Sequence, residues 1–563
     1  MFGAVTLDEA YPRAGNCLGV TLLTALYWVF EPIPIVITSF FPVFLMPLLK
    51  ISKASVVANT MFSDTSMVFL GGFLFSTVMV KWNLHSRIAL KTVLIFGLKP
   101  WLLLLGIMLV TTFLGMWISN TATALTMIPN ALAIITKLEE ITGDSAMVDP
   151  FAKCLFLAIA YSCSVGGFIT LIGTPPNLIL SQIARERFPK AKEIGFTEFM
   201  FVSLPISLSI LVIMYFYFLI VFIRKVKIPP GVDESAFREN YNKLGKMKPA
   251  EIIIVLLFIL LACLWLFRSD LSFGSNANLT GWANTLYPGE GTNYIADGTV
   301  AILLSMLFFI IHVPEPTEKE ERAMQESEIN LEIKPQTKQH QSSSDEEETE
   351  DSELREEASE ANIIDGTEDN MTLEQANPQK TGRKWIPLLE WNYAQEKIPW
   401  TILFLFSGGF VLNQGFKDSG MDTWLGNVMK GLANLPLFVL LLAILCVTAV
   451  ISTVASNTAC ANILIPIMAV FAQQSQKYHP WMLMFPVCFM TSCCFLLPVS
   501  TPPNLIAYGY GRLKMSDFLL HGAFVTVVAI FVIIGLSMAI IPAVFDAEQF
   551  PEWALPENTT TTA

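Results

Sequence analysis

Two stretches carry the residues most able to do chemistry: "SNTATALTMIP", Ser119 to Pro129, and "SNTACANILIP", Ser456 to Pro466. Each sets a polar triplet in oily sequence, Ser119-Asn120-Thr121 and Ser456-Asn457-Thr458. Their oxygens can coordinate a cation, and their N–H and O–H groups can hold an anion. Groups for bond-breaking chemistry are missing from the pattern. Of the nine cysteines, Cys154, Cys163, Cys263, Cys446, Cys460, Cys488, Cys493 and Cys494 lie in apolar runs, where a buried thiol is ordinary. No cysteine pair has zinc spacing, and the five histidines are scattered. The chemistry on offer is binding.

One such triplet in a membrane helix reads as packing or an interhelical hydrogen bond. Two in register read differently. "FLGGFLFS" holds Gly71 and Gly72, and "LFSGGFVL" holds Gly408 and Gly409. The Gly pairs and the triplets share one offset of 337 positions. Further on, "GTPPNLIL" (Gly173–Leu180) is answered by "STPPNLIA" (Ser500–Ala507). Three motifs in one order make the chain an internal duplication. Pro175-Pro176 and Pro502-Pro503 lack N–H donors and stop regular helix, so they, with Asn177 and Asn504, are expected to form unwound turns. The Gly pairs fit close helix packing as well as a site.

These groups need elements to position them. The chain has 563 residues, 53% hydrophobic and 15% charged, with a mean hydropathy of +0.54. A soluble protein of that size needs more surface charge. Apolar runs at or near spanning length recur throughout, which makes an all-α polytopic membrane protein. Its net charge of −13 is local: Val313 to Trp385 holds 21 Asp/Glu and 8 Lys/Arg, and the rest cancels. The expected organisation is a first membrane half (1–224, hairpin tip at 119–121, broken helix at 173–177) and a basic cytoplasmic loop (225–248). The second half starts at 249–312, pauses for an acidic disordered cytoplasmic loop (313–385), and resumes at 386–547 with a hairpin tip at 456–458 and a broken helix at 500–504. An extracellular tail (548–563) closes it.

Five crossings separate the two Gly-Gly spans if Trp101–Ile135 is a hairpin that enters and leaves on one side. An odd count inverts the second half, and inverted repeats with broken helices near the midplane are the architecture of secondary transporters. Basic Lys81–Lys99 and Arg224–Lys248 read as cytoplasmic. Ser269–Asp297, with a sequon at Asn278, and the tail, with one at Asn558, read as extracellular, whereas the sequon at Asn370 falls in the acidic loop and is idle. "RERFPKAK" (Arg185–Lys192) conflicts, because it puts four bases outside. Glu31 and Asp297 read as helix-end groups at the interface, and Lys81–Lys91 and Asp422–Leu432 as amphipathic arms along the membrane.

No Lys or Arg lies between Trp101 and Asn130 or between Gly431 and Gln476. An anion held there needs its charge offset by helix N-termini and co-bound cations. Each ligand then raises the affinity of the other.

From Tyr27 ("YWVFEPIPI") to Thr560 ("FPEWALPENTT"), with the doubled Ser-Asn-Thr and Thr-Pro-Pro-Asn between them, the chain resembles the divalent anion–sodium symporters. These include sodium-coupled di- and tricarboxylate carriers and INDY-type citrate transporters. The resemblance implies a plasma-membrane homodimer of elevator type, importing succinate- or citrate-like anions with sodium ions, with no organic cofactor and no nucleic-acid partner. It puts substrate at Ser119, Asn120, Thr121, Ser456, Asn457, Thr458 and Thr501. It puts sodium at a first site of Ser119, Asn120 and Gly173 and a second of Ser452, Ala455, Asn457 and Ser500. Gly115 stands where relatives often have Ser, leaving only its carbonyl. Relatives have a further helix before Leu18. The alternatives are a sulfate or other divalent-anion carrier of the family, or a sodium-independent citrate transporter or exchanger. A channel would need a continuous polar pore, which Pro-broken inverted halves fit poorly. An enzyme is not expected.

Overall fold

The computed structural model describes residues 11–30, 32–62, 64–97, 99–142, 145–225, 241–242, 244–272, 278–288, 290–316, 384–429 and 434–555. Glu31, Asn370, Asn558, most of the basic 225–248 loop and most of the acidic 313–385 stretch lie outside the described residues. Six described helices are long and apolar enough to cross a membrane, among them Phe196–Val221, Pro249–Leu266 and Met515–Phe545. The strands described are two short antiparallel ladders. One pairs Leu271–Ser272 with Asn278–Leu279, which puts the Asn278 sequon in a small hairpin. The other pairs His312–Pro314 with Trp385–Pro387 and pinches together the two ends of the acidic stretch.

Other apolar runs resolve into shorter helices used in pairs. Pro100–Gly115 and Asn120–Thr142 make a first hairpin, and Leu437–Val454 and Asn457–Ser475 a second. Ser145–Gly167 and Pro175–Arg187 make one broken helix, and Pro480–Ser492 and Pro502–Gly509 the other. Helix resumes at Asn120 and Asn457, so each triplet sits at its hairpin's turn as a helix cap and first turn. The breaks precede the prolines, which occupy the first two helical positions. A helix start leaves those N–H groups without intrahelical partners, and proline has none to leave.

Contacts sort the connections onto two faces. Arg87 pairs with Glu251 at 2.8 Å and donates to the carbonyls of Leu244 and Gly245. Trp82 Nε1 donates to Leu388 O, just beyond the ladder that closes the acidic stretch. On the other face, Arg185–Lys192 and the loop bearing Ser269, Asp270 and Asn284 line one cavity of about 520 Å³. Trp553, near the tail, packs on Phe188 and Trp481 at 5.4 and 5.5 Å. That arrangement also accounts for the bases in "RERFPKAK". Arg185 pairs with Glu193 (2.5 Å), Arg187 with Asp422 (2.6 Å) and Lys192 with Glu198 (3.3 Å), so three of its four charges are locally offset. Asp297 differs from expectation. It is buried, paired with Arg268 at 2.6 Å, and accepts from Phe196 N at 3.1 Å, so it locks helix ends together instead of facing the interface.

The main apolar core runs through both halves, and a smaller one packs Cys17, Trp28 and Met46 against Leu405, Val411 and Phe416. The first glycine of each Gly-Gly pair serves packing. A Cβ on Gly71 would lie 2.5 Å from Ala301 Cβ, and one on Gly408 2.4 Å from Ser39 O.

Candidate functional site

The two triplets fold alike. Ser119 Oγ accepts from Ala122 N at 3.2 Å and Ser119 O from Thr123 N at 3.0 Å. Ser456 Oγ accepts from Ala459 N at 3.2 Å and Ser456 O from Cys460 N at 3.0 Å. Each serine is thus an N-cap, the residue type that satisfies an orphan donor at a helix start. Each Asn and Thr projects from a first turn, where the helix carries partial positive charge.

The unwound turns are also twins. Asn177 Nδ2 donates to Gly167 O (3.0 Å) and Thr170 O (2.6 Å). Asn504 Nδ2 donates to Cys494 O (2.9 Å) and Leu497 O (3.0 Å). All three positions shift by the same 327, so the repeat holds down to single bonds. A buried carbonyl in membrane must be satisfied within the protein, and one amide does this twice in each half. Thr170 Oγ1 donates to Met116 O at 2.5 Å and ties the first turn to the first hairpin.

Both caps and both turns open into one cavity of about 340 Å³. Ser119, Asn120, Thr121, Gly173, Thr174 and Pro175 line it from the first half, and Ser456, Asn457, Thr458, Ser500 and Pro502 from the second. None of the lining side chains is ionisable. Four helix starts converge there, each directing its partial positive end toward the cavity, an environment that favours an anion. The double prolines strip N–H donors from two of those starts, so direct hydrogen bonding falls to the Ser-capped pair. Apolar walls from Phe69, Phe73, Ile172 and Ile402 flank this polar end.

Carbonyls gather beside the caps. A Cβ on Gly173 would lie 2.4 Å from Gly167 O and 3.0 Å from Gly115 O, and one on Gly167 would lie 2.7 Å from Asn120 Oδ1. Asn120 Oδ1 is buried without a hydrogen-bond partner among the described residues. Uncharged oxygens around a small space suit a hard monovalent cation. In the second half the equivalent positions are Ser452, Asn457, Cys494 and Ser500. Ser452 and Ala455 are buried, and Thr501 is buried with its Oγ1 unpartnered among the described residues; none of the three lines the cavity. Pro176, Asn177, Pro503 and Asn504 shape the turns and stay off its surface.

Four lining residues able to hydrogen-bond through their side chains escaped the sequence reading, besides the apolar walls. Thr174 could have been found as the repeat partner of Thr501. Ser76, Trp117 and Thr401 carry no motif and come from apolar helices or a hairpin tip.

Comparison with known proteins adds four findings. The family model for the sodium:sulfate symporter transmembrane region matches residues 9–545. The chain is similar to the Na(+)/citrate cotransporter of Rattus norvegicus, 31% identical over 96% of this chain and 93% of that one. It is also similar to the sodium-dependent dicarboxylate transporter SdcS of Staphylococcus aureus (strain MRSA252), 32% identical over 94% of this chain and 86% of that one. Among solved structures, the Alcanivorax borkumensis YdaH transporter covers 94% of this chain and is covered over 97% of its own, at 12% identity and a TM-score of 0.48, too loose a likeness to carry weight.

Proposed function

The chain belongs to the sodium:sulfate symporter family, a multi-pass membrane protein, and on that premise we propose that it is a sodium-coupled carboxylate transporter, importing di- or tricarboxylates such as succinate and citrate across the plasma membrane by alternating access. The observation that carries this reading is the meeting of both Ser-Asn-Thr caps in one cavity without an ionisable lining residue. One carboxylate is held between the starts of Asn120–Thr142 and Asn457–Ser475, with Ser119, Asn120, Thr121, Ser456, Asn457 and Thr458 as its partners. Thr501 then acts from behind the wall.

Sodium completes the site. A dianion taken from water into a slot without cationic side chains loses hydration that helix dipoles only partly replace. A first ion among Asn120 Oδ1 and the carbonyls of Gly115, Gly167 and Gly173, and a second among Ser452, Ala455, Asn457 and Ser500, make up the difference. Because the ions and the anion stabilise each other, neither alone favours the loaded state. The two inverted halves provide equivalent gates on opposite sides, and the family resemblance suggests a homodimer with an elevator movement.

Sulfate is the competing substrate. The apolar walls of Phe69, Phe73, Ile172 and Ile402 beside the polar end favour a molecule with a hydrocarbon middle over a compact tetrahedral anion. The deciding experiment is uptake of radiolabelled succinate, citrate and sulfate in transfected cells, with sodium or choline outside. Uptake of a carboxylate that collapses in choline is expected. Uptake unchanged in choline refutes sodium coupling, and carboxylate uptake absent in both media refutes the substrate class.

A further inference from the structure

The two cation-site clusters differ in side chain at three equivalent positions, Gly115/Ser452, Gly173/Ser500 and Gly167/Cys494, and only the last puts a donor on the carboxamide oxygen of the cap asparagine. Gly167 and Cys494 occupy equivalent positions, since each supplies the carbonyl ten residues before the clamping asparagine. In the first half, Gly167 leaves Asn120 Oδ1 buried and unpartnered among the described residues. In the second, Cys494 Sγ lies 3.1 Å from Asn457 Oδ1 and donates to it. The same Sγ lies 3.1 Å from Thr491 O. A thiol has one proton, so it can serve only one of these acceptors at a time. Cys494 itself is buried, with no contact to the cavity surface.

Resting on the sodium-coupled reading above, we propose that the Cys494 thiol is a positioning residue that competes with sodium for the carboxamide oxygen of Asn457 and so sets the sodium affinity of the second cation site. With that site empty, S–H points to Asn457 and satisfies its oxygen. When the ion arrives, Asn457 Oδ1 turns to it and S–H swings to Thr491 O. The S–H bond stays intact; one hydrogen bond is exchanged for another. The empty second site is stabilised in a way the empty first site is not, because an unsatisfied buried acceptor costs more than a weakly bonded one. The two ions therefore bind unequally, the first site filling at lower sodium.

The test is the sodium dependence of radiolabelled carboxylate uptake by wild type, Cys494→Ala and Cys494→Ser in transfected cells. Alongside it run the substrate KM at saturating sodium and the amount of protein at the surface. Removing the thiol should lower the sodium half-saturation by about two- to five-fold, the scale of one weak hydrogen bond. Substrate KM should not move. Serine retains a donor and should leave the half-saturation at or above the wild-type value, which a packing effect would not do. Should the alanine protein fail to reach the surface, Cys494→Gly copies the first half and is expected to show the same fall. An alanine or glycine variant with unchanged or raised half-saturation overturns the proposal, as does an equal fall in the serine variant. Wild-type uptake indifferent to sodium would instead remove the sodium-coupled premise itself.

Discussion

Gly173→Ala adds one methyl at the most crowded point of the first turn. Its Cβ would sit 2.4 Å from Gly167 O, against an ordinary contact of 3.4 Å or more, so a carbonyl must retreat by about 1.0 Å (3.4 minus 2.4). The neighbour is backbone, clamped by Asn177 Nδ2 at 3.0 Å, and cannot rotate aside as a side chain would. Overpacking of this kind costs about 1–3 kcal/mol. If that falls on the sodium-loaded state, affinity drops by about 5- to 150-fold. The repeat partner is a built-in control: Ser500 already carries a Cβ, so Ser500→Ala removes only a hydroxyl that donates to Leu497 O at 2.9 Å. Sodium half-saturation of uptake, measured for both variants at matched surface expression, should rise at least about five-fold for Gly173→Ala and less for Ser500→Ala. Wild-type sodium dependence in Gly173→Ala would refute the argument that these carbonyls form the first cation site.

Further outcomes follow from the same geometry. Asn120→Ala and Asn457→Ala should each abolish carboxylate uptake while surface expression stays near normal, read by biotinylation beside transport. Asn177→Ala strands two buried carbonyls at a cost of about 1–3 kcal/mol each, so the purified protein should melt at lower temperature, and Asn177→Asp, which cannot donate, should not rescue it. Arg187 is fully buried against Asp422. Arg187→Met alone should destabilise by about 3–5 kcal/mol, and adding Asp422→Leu should recover much of the loss in thermal melts. The cavity lining holds no titratable side chain, and His85 and His479, both outside the spanning helices, are pushed by burial to about 4. Groups with pKa values that low stay neutral across pH 6–8, so neither histidine nor the cavity lining should impose a pH dependence on sodium-saturated uptake of a fully ionised dicarboxylate there; a sigmoidal profile would point to another protein proton on the pathway.

The repeat was legible because it was written in residues that membrane sequence uses sparingly. Ser-Asn-Thr, Gly-Gly and Thr-Pro-Pro-Asn stand out against oily runs, and their offsets were readable without a structure. Their backbone roles were less so: nothing local says whether Asn120 ends a loop or begins a helix. The Arg268–Asp297 pair was out of reach, since its members are 29 positions apart and only folding brings them to 2.6 Å. The helix Ala54–Met61 was hidden by its short, mixed composition. Ser76 and Thr401 were invisible for a related reason, because one hydroxyl on an apolar helix has no periodicity to betray which way it faces. The asymmetry of Gly167 and Cys494 emerged only once the 327 offset was tied to the asparagine clamps.

In this mechanism two inverted caps grip one anion. A structure of the protein purified in sodium and succinate tests it most directly. Carboxylate density in contact with both Ser119–Thr121 and Ser456–Thr458, with an ion beside Asn120, is expected. Density held by one triplet alone, or bound away from both, would contradict it.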